Sequence, residues 1–378
     1  MAIPKGYRPQ LDGLRAIAVL LVAFGHWFGT DNFAHEPAWP YLGVELFFVL
    51  SGYLITGILL DTRRKMEGLG AHWKQPVLAF FARRLLRLVP ALFVYLAITT
   101  ALGLFGDVEG LLWYVAYLGN YRMADLGYGP DGAYHLWTLA VEEQFYLFVP
   151  FVVLLTQRMS VLKMFSMLLI GSLVTAVVSG RMGLTEILPP AAFAGLLAGC
   201  VLAAFVDQDL APHRLVTRLG AAAGVMYFAL LSIEIEFGFG HWLLPKQTLL
   251  LIALSALVWS AARGENRVGT LLFEQRVVRW LGSVSYGFYL WHVVARTFVN
   301  REAPGLIEGQ PMALQFLIYL VATLVPTAIS FYTVERVSTS LKRSFPYLPA
   351  ALPVDETATD VTATDEVREG SASALSKP

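Results

Sequence analysis

The chain has few charged residues and almost no cysteine. Only 15% of its 378 residues are Asp, Glu, Lys or Arg, and 56% are hydrophobic, whereas soluble domains carry roughly a quarter charged residues. The charges balance to a net charge of zero, which provides no electrostatic footprint for nucleic acid. The single cysteine, Cys200, excludes a disulfide framework and a cysteine-based metal cluster; we predict no metal. This composition indicates an integral membrane protein whose solvent is the lipid bilayer.

Ten apolar runs approach the length needed to cross a bilayer. We therefore predict an all-α polytopic membrane protein with about ten transmembrane helices, at residues 13–30, 42–60, 88–105, 137–155, 164–179, 189–206, 219–236, 243–262, 283–299 and 313–332. With the N-terminus inside, only five of the Lys and Arg residues lie outside: Arg122, Arg181, Lys246, Arg296 and Arg301. The positive-inside rule then places both termini in the cytoplasm.

Two regions interrupt this regularity. Within the long outer connection 106–136, residues 111–121 are apolar but too short to span, which is typical of an interfacial or re-entrant element. Residues 346–378 are polar and lack an apolar period, so we expect a disordered cytoplasmic tail. The transmembrane domain is predicted to occupy residues 1–345.

The first span carries an unusual pair of polar residues. Arg15 and His26 are eleven residues apart, so both side chains share one face of a helix. Ionisable groups inside a membrane span are expensive and usually face a bundle interior or a cavity. Alternatively, Arg15 reaches the cytoplasmic headgroups and His26 is an interfacial histidine. Asp12, at the inner start of this span, is a supporting candidate.

Three spans bring ionisable residues to a similar depth near the outer boundary. These are His26, Glu45 and Glu142, and His135 shares a face with Glu142, whereas Glu143 points about 100° away. A histidine beside a carboxylate is suited to general base catalysis, because the carboxylate orients the ring and stabilises the imidazolium. The alternative is three independent residues at headgroup level on lipid-facing surfaces.

The inner side carries a cationic edge at the start of the third span. Arg87 follows Arg83 by four residues and Arg84 by three, so the three form a cationic edge, and arginine suits bidentate phosphate contacts. Ordinary positive-inside anchoring is an equally good explanation. In the ninth span, His292 lies near mid-membrane, where it either lines a substrate path or is a hydrogen-bonded core histidine. Together, these features suit transfer of an activated group across the bundle, or an ion-coupled transporter.

Five stretches together resemble the acyltransferase-3 family of multi-span O-acyltransferases that modify bacterial surface glycans. They occur in the expected order: RPQLDGLRAIAVLLVAFGHWF (8–28), GVELFFVLSGYLIT (43–56), FFARRLLRLVPAL (80–92), HLWTLAVEEQFYLFVP (135–150) and SVSYGFYLWHV (283–293). The resemblance implies an acyl-CoA donor, usually acetyl-CoA. The family's Arg-ten residues-His motif falls on Arg15 and His26, and its Arg-x-x-Arg motif on Arg84 and Arg87. Its HLWSLSVEEQFY-like segment carries over to His135, Trp137, Glu142, Glu143, Gln144 and Tyr146.

We therefore expect an O-acetyltransferase of the bacterial inner membrane that acts on a sugar hydroxyl of a surface or exported polysaccharide. In this hypothesis, His26 is the general base, and Glu142, or alternatively Glu45, orients it. Arg84 and Arg87, with Arg83 as a weaker candidate, hold the CoA phosphates, while Arg15 polarises the thioester or shapes the donor tunnel.

Other acceptors and another class of function remain open. The acceptor could be a small molecule such as a macrolide or a lipid-linked oligosaccharide, and a non-enzymatic proton-coupled transporter or exporter is a further alternative. Some relatives in the family carry a C-terminal extracytoplasmic hydrolase-like domain, where this sequence has a polar tail. We expect the chain either to complete the transfer alone or to pass the acyl group to an extracytoplasmic partner protein.

Overall fold

The computed structural model describes residues 8–29, 39–181, 187–210, 212–237, 243–264 and 267–348. Within these ranges every regular element is a helix, which confirms the predicted all-α class. Most of the predicted tail, residues 349–378, lies outside the described residues, so its disorder stays a prediction, as does the domain boundary at 345.

Sixteen α-helices run through the described part of the chain. They are α1 (Pro9–Phe28), α2 (Trp39–Leu69), α3 (Lys74–Ala101), α4 (Leu111–Val115), α5 (Gly119–Leu126), α6 (Trp137–Tyr146), α7 (Val149–Leu155), α8 (Arg158–Arg181), α9 (Ala194–Asp207), α10 (His213–Phe237), α11 (Leu243–Arg263), α12 (Arg267–Phe273), α13 (Arg276–Ser283), α14 (Ser285–Glu302), α15 (Met312–Ser330) and α16 (Arg336–Ser340). Short 3-10 turns precede α6 and α9 and follow α14 and α16, and a π-helical turn, Phe331–Glu335, joins α15 to α16.

Seven helical stretches among the described residues are long and apolar enough to cross a membrane. They are Pro9–Phe28, Trp39–Leu69, Tyr134–Leu155, Ser160–Val178, Arg214–Ser232, Pro245–Arg263 and Met312–Ser344. The other three predicted spans coincide with α3, α14 and the shorter apolar helix α9. The chain is therefore a multi-pass membrane protein. The count of ten spans and the cytoplasmic location of the termini stay predictions.

Close backbone packing fixes α1 against the helices that carry its polar partners. At the end of α13, a Cβ atom added to Gly282 would lie 1.9 Å from the carbonyl oxygen of Asp12. Only glycine allows this approach, because any side chain would overlap the α1 backbone. Since α14 begins two residues after α13 ends, this contact sets where α14 starts relative to α1. The helix α14 also packs against α3 and α15.

The segment 111–121 forms two short helices rather than one span. Tyr117 joins α4 to α5 in the left-handed backbone conformation, with φ 55°, which is uncommon for a residue other than glycine. The side-chain amide of Gln144 on α6 donates to the Tyr117 carbonyl at 2.8 Å and to the Asn120 side-chain oxygen at 2.9 Å. These bonds fasten the segment to α6, whereas its interfacial or re-entrant position in a membrane stays a prediction.

Candidate active site

Three histidines from separate parts of the chain meet inside the bundle. They are His26 on α1, His135 just before α6, and His292 on α14. The Nδ1 atom of His26 lies 2.8 Å from Nε2 of His292, with ring centroids 5.1 Å apart. The His135 ring lies 5.1 Å from His292 at an interplanar angle of 77°. We call these three residues the histidine cluster.

Backbone hydrogen bonds hold each member of the histidine cluster in place. His135 donates from Nε2 to the Leu290 carbonyl at 3.2 Å, and His292 donates from Nδ1 to the Tyr289 carbonyl at 2.7 Å. The His26 carbonyl accepts a hydrogen bond from the Arg296 guanidinium at 2.8 Å. All three helical segments are therefore joined by hydrogen bonds at the level of the imidazoles.

Aromatic side chains complete the walls around the imidazoles. The ring of Tyr134 meets His26 edge-on at 5.1 Å, and Tyr95 packs against His135 at 6.0 Å. The Tyr95 hydroxyl donates to the Gly132 carbonyl, which anchors the turn that leads into His135. Trp27 donates its indole N–H to the His292 carbonyl at 3.0 Å. These contacts restrict how far each imidazole can turn.

The carboxylates predicted to orient His26 have other neighbours. Glu142 accepts a hydrogen bond from the Tyr146 hydroxyl at 3.2 Å, one helical turn away. Glu45 is buried where α2 meets α9, and a Cβ atom on Gly195 would come within 2.2 Å of its Oε2 atom. The hydrogen-bond partner of the His26 ring is the imidazole of His292. Neither predicted carboxylate is the hydrogen-bond partner of the His26 ring in this structure, because helical spacing defines depth along a helix but not the neighbour across the bundle; a catalytic role for Glu142 or Glu45 stays a prediction.

A second polar centre lies toward the start of α1 and α3. The Arg84 guanidinium on α3 forms an ion pair with Glu143 on α6 at 3.1 Å. It also lies over the ring of Tyr146, 3.4 Å from the ring centroid. Arg84 is thus held by two residues of α6, and much of its hydrogen-bonding capacity is already used within the protein.

Arg15 and Arg87 differ from Arg84. They repel each other: among the neighbouring charges, Arg15 has the largest electrostatic effect on Arg87, and both arginines repel the Lys342 ammonium. Within the described residues, neither guanidinium makes a hydrogen bond or an ion pair, and the Nε atom of Arg15 is buried. Glu142 and Glu335 also act electrostatically on Arg87 and offset part of its positive charge. Two neighbouring cations that form no ion pair within the described residues still favour binding of an anion between them. We call Arg15, Arg84, Arg87 and Lys342 the cationic cluster.

Arg83 lies at the edge of this region. Its guanidinium donates to the carbonyls of Lys342 at 2.8 Å and Phe345 at 3.2 Å, and it lies over the ring of Tyr347 at 5.2 Å. Arg83 therefore secures the end of the last helical segment against α3. Because these N–H groups already donate to backbone carbonyls, fewer of them are left for a phosphate, and Arg83 stays the weaker of the predicted phosphate ligands.

The two clusters lie at opposite ends of the same helices. On α1, eleven residues separate Arg15 from His26, which is about 16 Å along the axis. The same number of residues separates His135, in the 3-10 turn before α6, from Tyr146 at the end of α6, which gives a similar length. At this distance Arg15 lies far from a group that reacts beside His26, which favours the predicted role in shaping the donor tunnel over that in polarising the thioester; both roles stay predictions.

Sequence reasoning missed several polar residues of this region. Arg296 contacts the His26 carbonyl, Lys342 belongs to the cationic cluster, and the buried Glu335 lies against Gly287 of α14. The π-helical turn around Glu335 is the kind of local irregularity often found at functional sites, but the hydropathy pattern does not reveal it. Asp12, predicted as a supporting residue, contributes its backbone to the α13 contact described above.

Comparison with known proteins identifies the family of this polytopic helical chain. The chain belongs to the acyltransferase domain family known as acyltransferase-3, whose model matches residues 8–332. This match confirms the resemblance seen in the five sequence stretches. Among the described residues, no group of three or more His, Cys, Asp or Glu side chains is placed to hold a metal ion.

Two relatives illustrate the similarity. The chain is 29% identical over 360 residues to the peptidoglycan O-acetyltransferase OatA of Listeria monocytogenes, a match that covers 88% of this chain and 56% of the relative. It is 26% identical over 385 residues to the O-acetyltransferase OatA of Staphylococcus aureus, covering 91% of this chain and 59% of the relative. The chain thus spans less than three fifths of the length of these relatives. No solved structure matches it.

Proposed function

We propose that this protein is a membrane O-acyltransferase that moves an acetyl group from cytoplasmic acetyl-CoA to a sugar hydroxyl of a surface or exported polysaccharide. The observation that carries the proposal is the pairing of the cationic cluster with the histidine cluster about 16 Å away on shared helices. Cations that bind phosphate at one end and a base at the other match an acyl-CoA, which has phosphates at one end and a thioester at the other. Membership of the acyltransferase domain family supports this assignment.

In this proposal, Arg15 and Arg87 bind the CoA phosphates. Their guanidinium groups are electrostatic neighbours and form no hydrogen bond or ion pair among the described residues, although Glu142 and Glu335 act on Arg87 at longer range. Arg84, by contrast, is already paired with Glu143. A diphosphate would relieve the repulsion between the two cations, because each could donate to separate phosphate oxygens. Lys342 adds a third positive charge to the same region. This reverses the predicted order, in which Arg84 was a primary phosphate ligand.

The flexible pantetheine arm would then carry the thioester along the bundle toward the histidine cluster. On α6, Glu142 lies between His135 and Tyr146, the residue whose ring lies under the Arg84 guanidinium. A small cavity beside this route is lined by residues of α3, the 111–126 region and α6: Leu92, Tyr114, Tyr117, Gly119, Leu136, Leu139 and Ala140. The side chains along the route are aromatic, apolar or hydrogen-bonded, which suits passage of a thin, mostly neutral chain.

The chemical step uses His26 as the general base. The imidazole takes the proton of the acceptor hydroxyl while the hydroxyl oxygen attacks the thioester carbonyl carbon. Collapse of the tetrahedral intermediate breaks the carbon–sulfur bond, and the imidazolium returns the proton to the departing thiolate. The products are an O-acetyl ester and CoA with a free thiol, and His26 ends neutral, as it began.

The relatives OatA act, by their names, as O-acetyltransferases, and the Listeria protein on peptidoglycan. By analogy with these relatives, we propose that the acceptor is a glycan hydroxyl, which reaches the protein from the outer side of the bacterial inner membrane. In this arrangement the cationic cluster faces the cytoplasm, where acetyl-CoA is made.

The test is transfer of radiolabel from acetyl-CoA by purified protein in inside-out vesicles supplied with envelope glycan. We expect base-labile ester with the wild type, and a loss of about a hundredfold or more in rate for His26→Ala, because a general base contributes at least that much. His72→Ala is the matched control, since His72 is exposed and lies outside both clusters. Equal rates for His26→Ala and the wild type would contradict the base assignment.

A second pair of variants tests the donor site. Arg87→Gln should weaken acetyl-CoA binding by roughly ten- to a hundredfold, because it removes charge-assisted hydrogen bonds to phosphate. Arg301→Gln, at an exposed arginine outside both clusters, should leave binding unchanged. An unchanged affinity of Arg87→Gln for acetyl-CoA would remove Arg87 from the donor site.

A further inference from the structure

The contact between His26 and His292 is a hydrogen bond in the plane of both rings. Their nearest nitrogens are 2.8 Å apart, their centroids are 5.1 Å apart, and the ring planes differ by 11°. When the nearest nitrogens of two imidazoles are 2.8 Å apart, 5.1 Å is about the largest separation that their ring centres can have. The two nitrogens therefore lie on the line between the ring centres, so an N–H of one ring points directly at a lone pair of the other.

The hydrogen bond between His292 and the Tyr289 carbonyl determines which nitrogen carries the proton in the His26–His292 contact. His292 Nδ1 lies 2.7 Å from the Tyr289 carbonyl oxygen, which can only accept a hydrogen bond, so Nδ1 of His292 carries a proton. His292 is 0% exposed, and a buried ring favours the neutral form. In a neutral ring with a proton on Nδ1, Nε2 is an acceptor. The hydrogen of the His26–His292 bond is then on Nδ1 of His26.

We infer that His292 is a positioning residue that holds His26 in the Nδ1–H tautomer and so leaves Nε2 of His26 as the atom that takes the acceptor proton. The order is Tyr289 carbonyl, His292, His26, with each imidazole donating from Nδ1. A backbone carbonyl and a second histidine thus perform the orienting role that a carboxylate has in many hydrolases. The tautomer follows from the hydrogen bonds alone, whereas its catalytic consequence rests on the proposed function.

The neighbouring histidine lacks this arrangement. His135 donates from Nε2 to the Leu290 carbonyl, so its neutral ring is the Nε2–H tautomer and its Nδ1 atom is the lone-pair nitrogen. The histidine cluster therefore contains both tautomers, and the spectrum of one residue serves as an internal reference for the other.

The first test reads the tautomers directly. Solid-state ¹⁵N NMR of ring-labelled protein in liposomes distinguishes protonated from unprotonated ring nitrogens, and His26→Ala and His135→Ala spectra assign the signals among the seven histidines. We expect a protonated Nδ1 and an unprotonated Nε2 for His26, and the reverse for His135. A His26 signal with the proton on Nε2 in the wild type would overturn the inference.

The second test joins the tautomer to the reaction. His292→Leu removes the acceptor for the His26 proton, whereas His292→Gln retains a side-chain oxygen that can accept it. We expect His292→Leu to lower kcat at least tenfold with little change in KM for acetyl-CoA, and His292→Gln to restore a large part of that loss. His72→Gln is the exposed control. Equal kcat values for the Leu and Gln variants, or a change confined to KM, would contradict a positioning role.

The two proposals can fail separately. If the wild type transfers no acetyl group but shows the expected tautomers, the proposed function is wrong and the hydrogen-bond order stands. If transfer depends on His26 but His26 is protonated on Nε2, the function stands and the role assigned to His292 is wrong.

Discussion

Removing the guanidinium of Arg84 should destabilise the protein strongly, and removing the carboxylate of Glu143 as well should recover part of the loss. The two groups are 3.1 Å apart, with side chains only 15% and 18% exposed. At that distance, the Coulomb attraction is about 5 kcal/mol for an effective dielectric constant near 20, and desolvation of both charges offsets much of it. The net contribution of the ion pair to the free energy of unfolding is therefore modest, but each charge, once buried, is stabilised by the other.

Arg84→Ala leaves Glu143 as a partly buried carboxylate without its partner. Breaking a buried pair in this way costs about 3–5 kcal/mol of unfolding free energy. Adding Glu143→Gln should recover roughly 1–3 kcal/mol, the usual size of coupling between residues in contact. Recovery should be incomplete, because the lost packing of Arg84 over the Tyr146 ring is not restored.

The measurement is a double-mutant cycle in mixed detergent micelles, with unfolding by sodium dodecyl sulfate followed through tryptophan fluorescence. Arg87→Ala is the matched control from the same helix, and it should be neutral or stabilising, because it removes repulsion from Arg15. If the effects of Arg84→Ala and Glu143→Gln simply add, the pair is not coupled and the placement of Arg84 as a structural residue is refuted.

Two further predictions concern the outer connection and the topology. Hydrogen bonds from the Arg122 guanidinium hold the pKa of Asp107 below its usual range, so this carboxylate stabilises the fold above a pH of about 4 and the contribution is lost as the pH falls through the lowered pKa. The protection of residues 106–133 against hydrogen exchange, taken relative to the intrinsic exchange rate at each pH, should therefore fall in acid for the wild type, whereas Asp107→Asn should already show weak protection at neutral pH; identical protection profiles would exclude the effect. For the topology, Asp125→Cys should react with an impermeant maleimide in intact cells and Lys65→Cys only after permeabilisation, over a low background from the buried Cys200. The opposite pattern would reverse the orientation.

The proposed donor site illustrates what the charge pattern alone can and cannot predict. Three arginines at the start of the predicted third span, in the middle of α3, were recognisable as candidate phosphate ligands from their spacing. The sequence pattern does not tell which of them is already neutralised, because Glu143 is 59 residues away from Arg84 along the chain. The arginine left for a ligand is decided by the packing of α6 on α3, and Lys342 joins the site only because the end of the last helical segment folds back onto α3.

Local periodicity determined what lies along each helix. The apolar runs define the helices, and the eleven-residue interval between Arg15 and His26 determines that a cation and an imidazole lie on one face about 16 Å apart. These properties depend only on the geometry of a single helix, so they are readable without a structure.

The tertiary structure alone decided the lateral partners. His26 and His292 are 266 residues apart and hydrogen-bonded at 2.8 Å, whereas Glu142, at a similar predicted depth, bonds to Tyr146 on its own helix. Which faces meet depends on side-chain packing and on close backbone contacts such as that of Gly282 with Asp12. Such contacts are non-local, and helical periodicity carries no information about them.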